Sequence, residues 1–317
     1  MSSKPSPDPS SVRYDGPWTH RDVHANGIRF HVVEAAPAGR DFAAPGTPLV
    51  VLLHGFGDLW WSWRHQLTGL AELGFRTVAV DLRGYGDTDK PPRGYDGWTL
   101  AGDVAGLIRA LGHTDATLVG HGTGGLVCWA TAALHPRVVR AIAVIGSPHP
   151  IALKQAVLRD RRQRRTWLPN FLRCQPPFYG ERLFTGADGA EIERMLRLRA
   201  GERWAGTEEC ADTAARMRSA IRIAGAAHCG LEYERWAFRS QWRPDGHRFL
   251  RAMREPITVP VLSLRGAQDR YMLDSTLRRG AHLSPRRRLV TVPDAGHFAH
   301  QENPGAVTGE LAKLLTE

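Results

Sequence analysis

The sequence predicts an α/β fold, a mostly parallel doubly wound sheet interrupted by an inserted helical unit. Three observations predict it. Short apolar runs alternate with helical patterns between Pro48 and Ile145, the pattern of strands joined by crossover helices. From Leu118 to Trp129 an apolar strand end passes through glycines into an apolar helix. From Ile151 to Glu255 arginine-rich helical patterns replace the β-branched runs, and strand character then resumes at Pro260.

Taken in order, the elements justify that outline. Residues 18–24 and 28–35 are β-rich and flank Ala25-Asn26-Gly27, a hairpin turn, so the chain starts antiparallel. Residues 48–54 are continuously apolar, as suits a parallel strand buried on both faces, and end in Gly55-Phe56-Gly57. A helical pattern over 60–73 leads to a strand over 75–80, which ends in Asp81-Leu82-Arg83-Gly84-Tyr85-Gly86-Asp87. Residues 99–111 form a helix starting T-x-x-x-D, one residue off a capping box. A strand over 116–120, a helix over 123–134 and a strand over 138–145 follow. Beyond the inserted segment, strands are expected at 260–265 and 288–292 and a closing helix at 304–315. The chain thus divides into a disordered lead-in (1–17), a core (18–150 and 256–317) and a helical lid (151–255).

Composition narrows the function classes. The net charge is +10, carried almost wholly by arginine, since the lysines are Lys4, Lys90, Lys154 and Lys313. No zinc-finger or RNA-binding signature accompanies it, so nucleic acid is not the expected partner. The four cysteines, Cys128, Cys174, Cys210 and Cys229, lack C-x-x-C spacing and suit a reducing compartment. The polar, proline-rich N-terminus has no apolar run behind its lysine, and no segment approaches the roughly 18 apolar residues that span a bilayer. The expectation is a soluble cytoplasmic protein with no metal cluster.

The glycine-rich turn has the spacing of a nucleophile elbow, in which a catalytic side chain sits on strained backbone at the tip of a strand–helix turn. In Gly120, His121, Gly122, Thr123, Gly124 that place falls on Gly122, which has no side chain. Seating Thr123 there would put His121 where only a small residue lets strand and helix approach. Seating His121 there would require a small residue in place of Val119.

Four motifs then occur in one order: H-G-F-G-D-L-W-W-S-W-R-H-Q from His54, D-L-R-G-Y-G-D-T-D-K-P from Asp81, G-H-G-T-G-G from Gly120, and D-A-G-H-F-A-H-Q-E-N-P from Asp294. Together they resemble the α/β-hydrolase superfamily, and within it the epoxide hydrolases, over residues 18–150 and 256–315. The resemblance implies an α/β-hydrolase fold with a helical lid and no cofactor. It implies His297 as the catalytic histidine, with His300 as a nearby alternative, and Asp269 as its acid partner. An imidazole serves as a base when its second nitrogen is held by a carboxylate, so the pair is chemically coherent. The oxyanion hole would use the backbone N–H groups of Phe56 and Thr123, which do not depend on side-chain identity. Trp60, Trp61, Tyr179 and Tyr233 are expected along the substrate pocket.

Three departures bear on activity. Relatives carry aspartate or serine where Gly122 stands. Gly57 replaces the proline of H-G-x-P. Lid tyrosines that would hydrogen-bond an epoxide oxygen fall on Asn170 and Glu234, with Tyr179 and Tyr233 only nearby. The family resemblance therefore implies a hydrolase, whereas the residues leave its activity open. One reading is weak, non-covalent chemistry by the His297–Asp269 dyad on a small hydrophobic molecule, or binding alone. A second is an active epoxide hydrolase or esterase carrying an engineered knock-out, and a third a docking protein whose Arg159-to-Arg165 run meets an anionic surface such as a membrane. Apolar lid residues Trp167, Phe171, Phe178, Trp236 and Phe238 suit a hydrophobic ligand.

Overall fold

Asn26 and Gly27 both adopt positive φ, 45° and 79°, which reverses the chain in two residues. Strand β1 (Thr19–Ala25) consequently pairs antiparallel with β2 (Ile28–Ala35). The apolar runs that follow become β3 (Leu49–Leu53), β4 (Arg76–Val80), β5 (Ala116–His121), β6 (Val139–Ile145), β7 (Val261–Gly266) and β8 (Arg287–Val292). They form one eight-stranded sheet in the order β1-β2-β4-β3-β5-β6-β7-β8, parallel from β4 to β8 and antiparallel where β1 and β2 join. The α/β-hydrolase architecture expected from the sequence is the one observed. This computed structural model describes residues 5–36 and 46–317.

Both sheet faces are covered, which explains why the central strands are apolar throughout. Along β3, Val50 and Leu52 pack into one layer with Leu67, Leu70 and Leu311, while Val51 and Leu53 pack into the other with Leu107, Ile108 and Trp129. Each such fully buried side chain is worth roughly 1.5–3 kcal/mol. The helix expected at 99–111 runs Gly97–Ala110, and its cap is Asp96, whose carboxylate accepts from the Trp98 and Thr99 N–H groups. Asp103, read as part of a capping motif, is instead buried in a two-bond pair with Arg83 (2.6 Å each). That pair pins the loop after β4 to the helix.

Residues 5–17 differ from the disordered lead-in expected. Val12 is buried, its carbonyl accepts from Trp60 Nε1 (2.8 Å), and Arg13 pairs with Asp22 and Asp87. A polar, proline-rich segment is held here by a few long-range contacts that composition does not reveal.

Between β6 and β7 the described chain is helical, from Pro150–Arg159 to Pro244–Ala252, with no strand. This lid is tied down by polar contacts. Tyr233 Oη donates to the Arg83 carbonyl (2.8 Å), and buried Gln163 accepts from Leu273 N–H (3.0 Å) and Thr276 Oγ1 (2.7 Å). The arginine run therefore docks one face on the core and leaves Arg161 and Arg162 exposed. The four cysteines are buried free thiols. No helix among the described residues is long and apolar enough to cross a membrane.

Candidate active site

Strand β5 ends at His121 and the next helix begins at Gly122 (Gly122–Leu134). A Cβ on Gly124 would lie 2.2 Å from the Leu53 carbonyl oxygen, and one on Gly120 would lie 2.5 Å from the Gly124 carbonyl carbon. Those two positions need glycine for close approach. Gly122 differs: a Cβ there would meet only Gly55 Cα at 3.8 Å, but its φ is 51°. Left-handed backbone costs an ordinary residue about 1–2 kcal/mol. Ser147, which the sequence did not point to, fixes the turn by donating Oγ–H to the Gly122 carbonyl (2.8 Å).

His297 and Asp269 come together from the loops after β8 and β7. The His297 Nδ1 to Asp269 Oδ2 distance is 2.9 Å, and both residues are buried. Asp269 Oδ1 accepts from the Tyr271 and Met272 N–H groups at 2.8 and 2.9 Å, so its orientation is set by backbone. The His297 N–H donates to the Arg199 carbonyl (2.9 Å), which ties the dyad to the lid. With Nδ1 donating to the carboxylate, Nε2 keeps its lone pair available as a base.

A cavity of about 450 Å³ lies between core and lid. Gly122, Thr123, Phe56 and His297 line it, with Asp269 behind the histidine. Thr123 is the second residue of its helix, so its N–H has no intrahelical carbonyl to bond. Trp167, Phe171, Trp236 and Phe238 form much of the apolar wall, whereas Phe178 is exposed.

Other expected pocket residues are placed differently. Trp60 is fully buried beneath the N-terminal segment, and Trp61 packs on Tyr14 and Trp18 under the Arg216 guanidinium, both away from the cavity. Tyr179 is half exposed outside it. Tyr233 does line the cavity, but its hydroxyl is spent on Arg83. Asn170 and Glu234 line it, as do Arg199 and Tyr271, which no sequence signal distinguished. At Gly57, φ is 70°, a conformation closed to proline.

His300, the alternative histidine, is fully buried beneath the turn, its ring tilted against Trp63 with centroids 4.3 Å apart. With His121 and Asp58 it forms a buried polar cluster whose ligand-type atoms lie within 4.8 Å of one another. These are the described residues that could hold a cation, and no spacing in the sequence announces them. Burial pushes His121 and His300 well below the ordinary histidine range. Burial likewise lifts the Asp58 carboxyl to about 7, against an opposing hydrogen bond from the Leu59 N–H. Burial thus favours the neutral form of all three, in a pocket of polar atoms suited to a small polar guest.

The family model for the alpha/beta hydrolase fold matches residues 48–304. The chain is 31% identical to epoxide hydrolase A of Mycobacterium tuberculosis (strain ATCC 25618 / H37Rv), over 95% of this chain and 98% of the relative. It is 36% identical to epoxide hydrolase 3 of Siraitia grosvenorii, over 94% and 98%. The crystal structure of epoxide hydrolase A from Mycobacterium thermoresistibile superposes with a TM-score of 0.75 at 27% identity, covering 94% of this chain and 98% of that one. The chain therefore belongs to the α/β-hydrolase family, in its epoxide-hydrolase-like branch.

Proposed function

We propose that this chain hydrolyses a small hydrophobic molecule without a covalent enzyme intermediate, His297 acting as base for a water molecule over Gly122. One observation carries the reading: the imidazole held by Asp269 shares its cavity with a glycine that has no attacking atom at the turn where relatives carry a nucleophile. Water is then the available nucleophile, and the Phe56 and Thr123 N–H groups supply donors for developing negative charge. A positioned base contributes about 10²- to 10⁴-fold, so turnover is slow beside covalent catalysis. The similarity to proteins named epoxide hydrolases makes epoxides the first candidate substrates.

Asn170 and Glu234 in the lid also depart from the tyrosines of the family pattern, which speaks against a single engineered replacement at position 122. A pure binding protein is the second reading, favoured by the apolar wall of Trp167, Phe171, Trp236 and Phe238. Turnover of styrene oxide and p-nitrophenyl acetate by the native chain, His297→Gln, Gly122→Asp and Gly122→Ser separates the two. The proposal expects slow native turnover that His297→Gln abolishes. Native activity indifferent to His297→Gln, or no turnover above buffer, would overturn it.

A further inference from the structure

One carboxyl group in the cavity is not used by the His297–Asp269 pair. Glu234 sits on the lid helix Ala226–Arg239, and the residues on either side of it are both committed. Tyr233 donates to the Arg83 carbonyl (2.8 Å), while Arg235 bonds the Cys174 carbonyl (3.1 Å) and both oxygens of Glu181 (2.8 and 2.9 Å). These contacts fix the rotation of the helix, and Glu234 is left facing the cavity. Its carboxyl makes no hydrogen bond or ion pair to another described residue. Nor does the Arg199 guanidinium, which lines the same cavity and lies 3.7 Å from the centre of the Tyr271 ring. An acid and a base-stabilising cation thus share one chamber with the dyad, each with its polar end unspent.

We infer that Glu234 is the general acid of this site, giving its proton to the oxygen that leaves carbon when His297 activates water. The inference rests on the non-covalent reading above and names the missing half of that chemistry. For an epoxide, the water oxygen bonds to a ring carbon as that carbon's bond to the ring oxygen breaks. The water proton goes to His297 Nε2, the Glu234 proton goes to the ring oxygen, and the product is a vicinal diol. Imidazolium and carboxylate are left behind, and transfer of one proton between them through solvent restores the start. Arg199 favours the carboxylate stage, and the substrate class is a hydrophobic epoxide with its oxygen toward the lid.

The surroundings suit a proton donor at neutral pH. Burial lifts the Glu234 carboxyl to about 7, and Arg199 works in the other direction. The neighbours that register its charge are Tyr85 from the loop after β4, Cys174 at the end of helix Arg161–Arg173, and Tyr271 from the loop after β7. Burial pushes all three upward, so they stay neutral and Arg199 is the charge that sets the balance. A raised carboxyl is protonated below its folded pKa, so the acid role holds below pH 7 and fades above it.

The test is steady-state hydrolysis of styrene oxide by the full chain from pH 5 to 9, using native protein, Glu234→Gln, Glu234→Asp, Arg199→Met and His297→Gln, with folding checked by melting temperature. Native activity should fall as pH rises through about 7. Glu234→Gln, isosteric but unable to give up a proton, should lose about 10²-fold in kcat and the alkaline limb with it. Glu234→Asp should restore part of both. Removing the cation in Arg199→Met should move the limb upward by on the order of one pH unit. If Glu234→Gln keeps kcat within threefold, or keeps the limb, while His297→Gln is inactive, the acid assignment is overturned and the dyad reading stands. Native protein that does not turn over styrene oxide, or His297→Gln that matches it, overturns the dyad reading and the assignment together.

Discussion

The floor of the cavity is held by backbone, whereas its roof is held by side chains. Below, Gly120 and Gly124 let β5, its helix and β3 approach to contact distance, and backbone N–H groups aim Asp269 at His297. His54 adds a tie within the floor. Leu82 N–H donates to its Nε2 (3.1 Å), so Nδ1 must be the nitrogen that donates to the Gly55 carbonyl (2.8 Å). Above, the lid relies on ion pairs such as Arg235–Glu181 and on aromatic stacks such as Trp167–Phe171, 4.3 Å apart. Backbone geometry tolerates few substitutions, while side-chain packing can be rewritten piecemeal. The floor therefore fixes the geometry of His297 and Asp269, and the roof supplies the apolar wall and the Glu234 carboxyl that a bound molecule would meet.

The largest effects should come from breaking the floor's chemistry while leaving its shape. Asp269→Asn keeps the two backbone bonds to Oδ1 but no longer holds His297 with a carboxylate. We expect kcat to fall by about 10²- to 10⁴-fold with a melting temperature within a few degrees of native. Equal activity in steady-state assays would show that His297 needs no acid partner. Next comes breaking the shape. Gly124→Ala forces a methyl group 2.2 Å from the Leu53 carbonyl oxygen, and strand and helix must part. Overpacking of this kind costs about 1–3 kcal/mol or more, readable in urea denaturation.

The same division decided what the sequence could tell. The glycine turn was legible because strand and helix can approach only over glycines at 120 and 124, and His297 and Asp269 were placed by the family resemblance of the motifs that hold them. Gly124 cannot be anything larger, and a base needs its acid. Trp60 and Trp61 were misplaced because an aromatic pair beside a site motif looks the same whether it faces a pocket or, as here, a docked N-terminal segment. Arg199, Tyr271 and the cluster of Asp58, His121 and His300 were illegible, since packing joins residues from distant motifs and leaves no local pattern.

Two carboxyls are both lifted to about 7 by burial, one in each region, and only Glu234 lines the cavity. Asp58, under the turn, lies outside the cavity lining, so its protonation bears on stability. An acid whose folded pKa exceeds its unfolded value stabilises the fold at low pH, and that contribution fades as pH rises from about 4 through 7. Asp58→Asn should therefore gain stability relative to native by roughly 1–3 kcal/mol at pH 8, and by less at pH 5, in paired thermal melts. A pH-independent difference would mean that Asp58 titrates normally. Glu234→Gln should show a similar pH-dependent difference in its melts, since the same linkage applies, and in addition a changed rate profile because its carboxyl lines the cavity.

The smallest effect concerns Gly122 and tests whether the turn is strained as the floor's design implies. Adding a methyl group there meets open space, with Gly55 Cα 3.8 Å away, so any penalty is conformational. Against it stands the entropy that alanine removes from the unfolded chain, about 0.4–1 kcal/mol in favour of the variant. The left-handed backbone costs about 1–2 kcal/mol, which exceeds that gain. The net is a loss on the order of 1 kcal/mol, or about 1–2 °C in a chain of this size. Should Gly122→Ala melt higher than native, the turn would be relaxed, and the absence of a side chain at its tip would have brought no structural relief.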